Sequence, residues 1–325
     1  MNLSYNISEN VKSYLDKIDK LRIQILTFPI SPKDELRLKW DSILERTIWS
    51  LSILDIPISK TDAITLLSKR IPIRMFPVKG TSLQAVQKDI LNQRRAFTYI
   101  REDWLASKSS VTMAVVKKLY EISCKETLGP ISGLTEYSEK RMGTWLTYLE
   151  KGQDHPAIQA GIAQVETINT TPFDNGNGRV GRLLSYLYLY KAGYDIRDMF
   201  ILEEFYKRDI VTYKKMLDLA KIQGNLTLWL EYFTFGMGLA MEKTLDVIKN
   251  MKFAENLPAS FWKLNSRQRQ ILESMEQPGV KITNKEVVKK FRVSQVTSSR
   301  NLVKLASLGL LLTHGKGRSV YYTRV

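Results

Sequence analysis

The chain has 325 residues, 44% hydrophobic and 25% charged, with a single cysteine, Cys124. This excludes an internal disulfide framework and fits a cytoplasmic protein of two or three domains; the polar start MNLSYNISEN lacks the apolar centre of a signal peptide, and the apolar run Leu226–Met241, interrupted by Glu231, is too short to span a bilayer. Of the net charge of +16, residues 260–325 supply +10 from 13 Lys/Arg and 3 Asp/Glu, against 36 and 30 in the rest of the chain, so a polyanionic partner is expected for the C-terminal fifth.

Helical periodicity runs through most of the chain. Apolar residues at three and four spacing predict helices over 8–28 and 36–54, with Ser31-Pro32 between them. A turn at Pro57 leads to a helix over 60–69, and Pro72 and Pro77 mark an irregular connection to a helix over 82–107. Further helices are expected over 111–125, 135–151, 156–168, 178–192, 201–222 and 226–252. Asn256-Leu257-Pro258 reads as a linker. No internal repeat or low-complexity tract is present.

The most specific local pattern is Thr171-Pro172-Phe173-Asp174-Asn175-Gly176-Asn177-Gly178-Arg179-Val180-Gly181-Arg182, set between two helices. A Gly-Asn-Gly turn opening a helix directs backbone N–H groups at one concave spot, and the helix dipole favours an anion there. Arg179 and Arg182, three apart near the helix start, have the forked geometry that grips phosphate. The alternative is a tight interhelix turn with exposed arginines.

Beyond the linker, three amphipathic helices are expected: one over 266–277, one after Thr283 with Glu286 completing a capping box, and one after Ser294. Val296, Leu302, Val303 and Leu305 to Leu308 read as the inward side of the third. The short joint Arg292-Val293-Ser294 suits a helix-turn-helix. Two alternating segments, 310–314 and 319–323, flank Gly315-Lys316-Gly317-Arg318 and predict a hairpin. This order resembles the winged helix-turn-helix superfamily, which implies double-stranded DNA as partner. Gln295, Thr297, Ser298, Arg300, Asn301 and Lys304 are taken as the exposed face of the third helix, amides and hydroxyls for base edges and cations for phosphates. Lys316 and Arg318 are placed at the wing tip. The alternative use of such a domain is protein contact alone.

The glycine-rich segment resembles the Fic-family signature His-Pro-Phe-x-Asp/Glu-Gly-Asn-Gly-Arg-x-x-Arg. Pro172, Phe173, Gly176, Asn177, Gly178, Arg179 and Arg182 match it, and weaker likeness extends over about residues 36–250. The resemblance implies a mainly α fold: an N-terminal helical region over 1–100, a Fic-like core over 101–255, and a small α+β winged helix over 260–325. It implies AMP transfer from ATP to a protein hydroxyl, with Gly176, Asn177, Gly178, Arg179 and Arg182 binding ATP or another nucleotide. Yet Thr171 stands at the position of the family's histidine base and Asn175 at that of its acidic Mg²⁺ ligand, so the metal site is poor. His155 and His314 are the only histidines, and His155 lies ~20 Å up the helix from Thr171. Two extra residues stand between Ile168 and Pro172. The family's inhibitory motif finds its best match at Ser50 to Asp55, where Leu54 replaces the glutamate, and only Lys125–Leu134 is left for the β-hairpin flap that aligns a target strand. The expected function is a DNA-binding regulator, dimeric if its sites are palindromic, built on a degenerate Fic fold that binds a phosphate ligand; the alternatives are a transferase of altered chemistry and a purely structural module.

Overall fold

The computed structural model describes residues 3–30, 32–56, 58–68, 83–194, 196–250, 264–275, 280–307, 310–315 and 320–324. It is mainly helical, with one small antiparallel sheet near the C-terminus. The chain divides into two compact units: Met1–Pro29 with Asp41–Met251, and Ile30–Trp40 with Lys252–Val325. No helix among the described residues is long and apolar enough to cross a membrane.

The larger unit contains α1 (Glu9–Thr27), α3 (Lys60–Ser68), α4 (Leu83–Trp104), α5 (Met113–Ser123), α6 (Lys125–Leu128), α7 (Glu136–Glu150), α8 (Pro156–Thr170), α9 (Asn177–Lys191), α10 (Glu203–Arg208), α11 (Ile210–Gln223) and α12 (Thr227–Lys249). Helix α2 (Pro32–Ile53) contributes its part from Asp41 onward. The helix expected over 201–222 is two helices, because Asp209 leaves helical geometry and caps the second one through Thr212 N–H.

Helices α8 and α9 form the centre, and nearly every side chain of both is buried. Polar members such as Gln164, Glu166, Arg179 and Arg182 are buried along with the apolar ones, so these helices present almost no solvent face. The two approach closely where Gly181 meets α8: a Cβ there would lie 2.8 Å from the Gln164 carbonyl oxygen. Helix α12 packs on α8 and α1, with Trp229 Nε1 donating to Gly161 O at 2.8 Å, so the apolar run Leu226–Met241 is a core helix. Helices α4 and α5 pack on α9.

After α9, Ile196, Arg197 and Asp198 form a short turn with three consecutive positive φ values of 46°, 56° and 60°. Such strain persists only where surroundings hold it. Here Asp198 accepts from Tyr190 and pairs with buried Arg46 (3.4 Å), whose guanidinium also donates to Phe200 O at 2.7 Å.

The smaller unit contains α13 (Ser266–Glu273), β1 (Lys281–Thr283), α14 (Asn284–Phe291), α15 (Gln295–Ser307), β2 (Leu311–His314) and β3 (Tyr321–Arg324). The three expected helices and the hairpin are present, and the capping box of Thr283 with Glu286 forms. The sheet has an additional strand: β3 lies between β1 and β2, antiparallel to both. Ile271, Met275, Ile282, Val287, Leu302, Leu305, Leu311 and Tyr322 form the core of this unit.

Candidate functional site

The motif loop connects the end of α8 to the start of α9. Asn169 and Thr170 lengthen α8, which absorbs the two extra residues ahead of Pro172. Thr171 becomes the C-cap in left-handed geometry (φ 44°, ψ 58°), its N–H bonded to Thr167 O at 3.2 Å. A non-glycine residue there is uncommon, and the side chain is exposed. His155 is the N-cap at the opposite end of the same helix, accepting from Ala157 N–H through Nδ1. It has no part in this site.

The loop is fixed by its own residues. Phe173 is buried and packs on Tyr120, ring centroids 4.4 Å apart. Asn177 Oδ1 accepts from Phe173 N–H (3.0 Å) while its Nδ2 donates to Phe173 O (2.6 Å), so this side chain closes the loop and is not available to a ligand. Gly176 is left-handed (φ 83°), and a Cβ there would meet Cys124 Sγ at 2.9 Å. From the other side, Ser132 O accepts from Asp174 N–H at 3.0 Å, and Gly133 lies against the Asp174 side chain. The segment in which a flap was sought, Lys125–Leu134, is short α6 followed by a non-strand run laid on the motif loop.

The two motif arginines differ sharply. Arg179 Nη1 donates to Asp89 Oδ1 and to Ser123 O, both at 2.6 Å, and the Arg179 and Asp89 side chains are 6% and 7% exposed. Asp89 also accepts from Thr127 Oγ1 at 2.9 Å. Arg179 therefore ties α4, α5 and α9 together. Arg182 is buried at 4% exposure, and its Nε and Nη2 have no hydrogen-bond partner among the described residues. Its Nη1 lies 3.5 Å from the position a Gly178 Cβ would take, so the guanidinium curls back over the start of α9. Asp55, beside Leu54, pairs instead with Lys207 at 3.0 Å. Burial pushes the Cys124 thiol up, against the pull of nearby Arg179 and Arg182. Asp174 and Asn175 are exposed, and the described residues contain no group of three or more His, Cys, Asp or Glu able to hold a metal. The neutral oxygen of Asn175 does not fit Mg²⁺, which favours carboxylates and phosphates.

Asp89 has no sequence signal: it lies 90 residues ahead of Arg179 and belongs to no motif.

In the smaller unit, Gln295, Thr297, Arg300 and Lys304 are exposed on α15, as expected. Ser298 and Asn301 are not: they are 0% and 6% exposed. Ser298 Oγ donates to Asn284 O at 3.1 Å, and Asn301 Oδ1 accepts from Gln268 Nε2 at 3.1 Å. These two side chains join α15 to α14 and α13. In exchange, Val296 and Val303, expected inside, face outward. Positions 298, 301, 302 and 305 follow the three-four spacing of one helix face, which places a serine and an asparagine on the core side. Thr297 also shares a hydroxyl bond with Ser294 (2.9 Å). Lys316 and Arg318, assigned to the wing tip, lie outside the described residues, as does Leu308.

A sequence model of the Fic/DOC family matches residues 126–189. No curated protein sequence matches the chain. Among solved structures, a Fic family protein from Desulfovibrio desulfuricans G20 aligns with a TM-score of 0.62 and 14% identity over 100% of this chain and 98% of that one. Fic-1 from C. elegans (residues 134–508) aligns at 0.61 with 16% identity, over 72% of this chain and 71% of that one. A Fic domain containing signaling protein from Bacteroides thetaiotaomicron VPI-5482 aligns at 0.56 with 18% identity, over 74% of this chain and 95% of that one. The chain therefore carries a Fic-family domain, centred on α8, the motif loop and α9.

Proposed function

We propose that this protein is a DNA-binding transcriptional regulator with a Fic domain that does not transfer nucleotide but receives a phosphate-bearing ligand, such as a nucleotide, at Arg182. The observation that carries the DNA-binding part is the outward face of α15 with its neighbours: Lys285, Lys289, Lys290, Arg292, Arg300 and Lys304 are all exposed, on a helix-turn-helix stabilised by a three-stranded sheet. This order of elements supports a winged-helix reading, and such a cation density suits phosphate contact on a duplex. Binding to duplexes by fluorescence anisotropy over a salt series tests it; affinity falling steeply with salt is the expected result, and no binding to any duplex refutes it.

Two features support the loss of transfer activity. Thr171 has no basic atom near neutral pH, so the general-base contribution of ~10²–10⁴-fold is missing. The described residues around Asn175 do not fit magnesium, which favours carboxylates. The ligand part rests on Arg182. Its Nε and Nη2 are buried with no hydrogen-bond partner among the described residues; such burial is costly, and an anion at the start of α9 would relieve that cost. Calorimetry with ATP, ADP and AMP tests it directly. A ligand-free scaffold is the second reading, favoured by Asp89 filling the place beside Arg179; no heat at millimolar nucleotide would establish it over the first.

A further inference from the structure

Val296 and Val303 are 60% and 55% exposed on α15. They lie seven residues apart, on one helix face, with Arg300 between them. Positions turned to water on a helix are ordinarily filled by strong helix formers, and β-branched residues are poorer ones. The remainder of this helix is ordered by contacts on the opposite side, through Ser298, Asn301, Leu302 and Leu305. Among the described residues, the core of this unit includes neither valine.

Their surroundings restrict what would cover them. Lys285, Lys289 and Lys290 on α14, Arg292 in the turn, and Arg300 and Lys304 on α15 are all exposed. Among the described residues of α14 and α15 the one carboxylate is Glu286, and it accepts from Thr283 N–H and Oγ1. An apolar pair inside such a cationic field suits a partner that is polyanionic overall yet offers an apolar point of contact. The major groove of DNA is such a surface: its phosphates flank base edges on which the C5-methyl of thymine is the apolar group.

We infer that Val296 and Val303 read thymine methyl groups in the major groove, so that the preferred duplex carries thymine at two positions facing α15. This rests on the DNA-binding reading above. Arg300 and Lys304 hold the helix to the backbone, and the valines supply sequence discrimination without a hydrogen bond. Seven residues span about 10 Å along the helix, the rise of about three base-pair steps.

The test uses the full chain and a pool of random-sequence duplexes. Bound sequences are selected, and the enriched duplex is remade with deoxyuridine replacing each enriched thymine in turn, which removes only the methyl. Two positions are expected to be sensitive, each weakening binding about fourfold, the worth of one methyl withdrawn from water. Val296→Ala is expected to abolish the sensitivity at one position and Val303→Ala at the other, with Tm unchanged, while Val296→Thr, which keeps a methyl, retains it. Selection of a sequence whose affinity is indifferent to uridine, or sensitivity that persists in both alanine variants, overturns the inference. Salt-dependent binding with no sequence enriched also overturns it and leaves DNA binding intact. Absence of binding to every duplex overturns both.

Discussion

Helices α9 and α15 look alike in the sequence and differ in the fold. Each helix carries two cations three or four positions apart: Arg179 and Arg182 in the first two turns of α9, Arg300 and Lys304 in the middle and last turn of α15. At α9 both arginines are buried, and Arg179 is held by Asp89 and by Ser123 O. At α15 both cations are exposed. The same residue types therefore do opposite work. One pair is buried, with Arg179 held by the protein's own carboxylate, and the other is turned outward. Burial, which spacing does not encode, separates them.

Removing Asp89 should break this contrast most strongly. Asp89→Ala leaves Arg179 buried without its counter-charge, a loss of about 3–5 kcal/mol, read in thermal unfolding as a fall in Tm of about 6–20 °C. A variant with unchanged Tm would show that the pair is not structural. Arg182→Met sharpens the comparison within the motif. Replacing this buried guanidinium, whose Nε and Nη2 have no hydrogen-bond partner among the described residues, with an apolar side chain of similar length should leave stability unchanged or raise it by about 1–4 kcal/mol without ligand, while any nucleotide-induced rise in Tm disappears. Asn177→Ala loses both bonds to the Phe173 backbone and should cost about 1–3 kcal/mol, measurable by urea unfolding. At α15, Arg300→Ala should alter stability by no more than about 0.5 kcal/mol. Its effect belongs to binding: weaker affinity for any duplex and a salt slope reduced by ~1.

Local signals were legible and distant partners were not. The motif from Pro172 to Arg182 identified its loop and the helix after it, because turn glycines and helix-start chemistry act within a few residues. The capping box at Thr283 and Glu286 was readable for the same reason. Asp89 was not readable, since the pairing of α4 with α9 is set by packing across 90 residues. Residue type alone points to the wrong inward side of α15, because it places valine in the core and serine and asparagine at the surface. The three-four spacing of Ser298, Asn301, Leu302 and Leu305 contained the correct face, and tertiary hydrogen bonds to Asn284 and Gln268 satisfy its polar members. The fate of the residues between Ile168 and Pro172 depended on whether α8 would lengthen or the loop would bulge. It lengthens, and Thr171 takes the left-handed cap.

Transfer without a base is the step on which the proposed function turns. Incubating the purified chain with ATP labelled at the α-phosphate, with Mg²⁺ and with a lysate as acceptor, measures it directly. The expected result is no label on this protein or any other above that seen with Arg182→Ala. Strong labelling by the unaltered chain, lost in that variant, would contradict it.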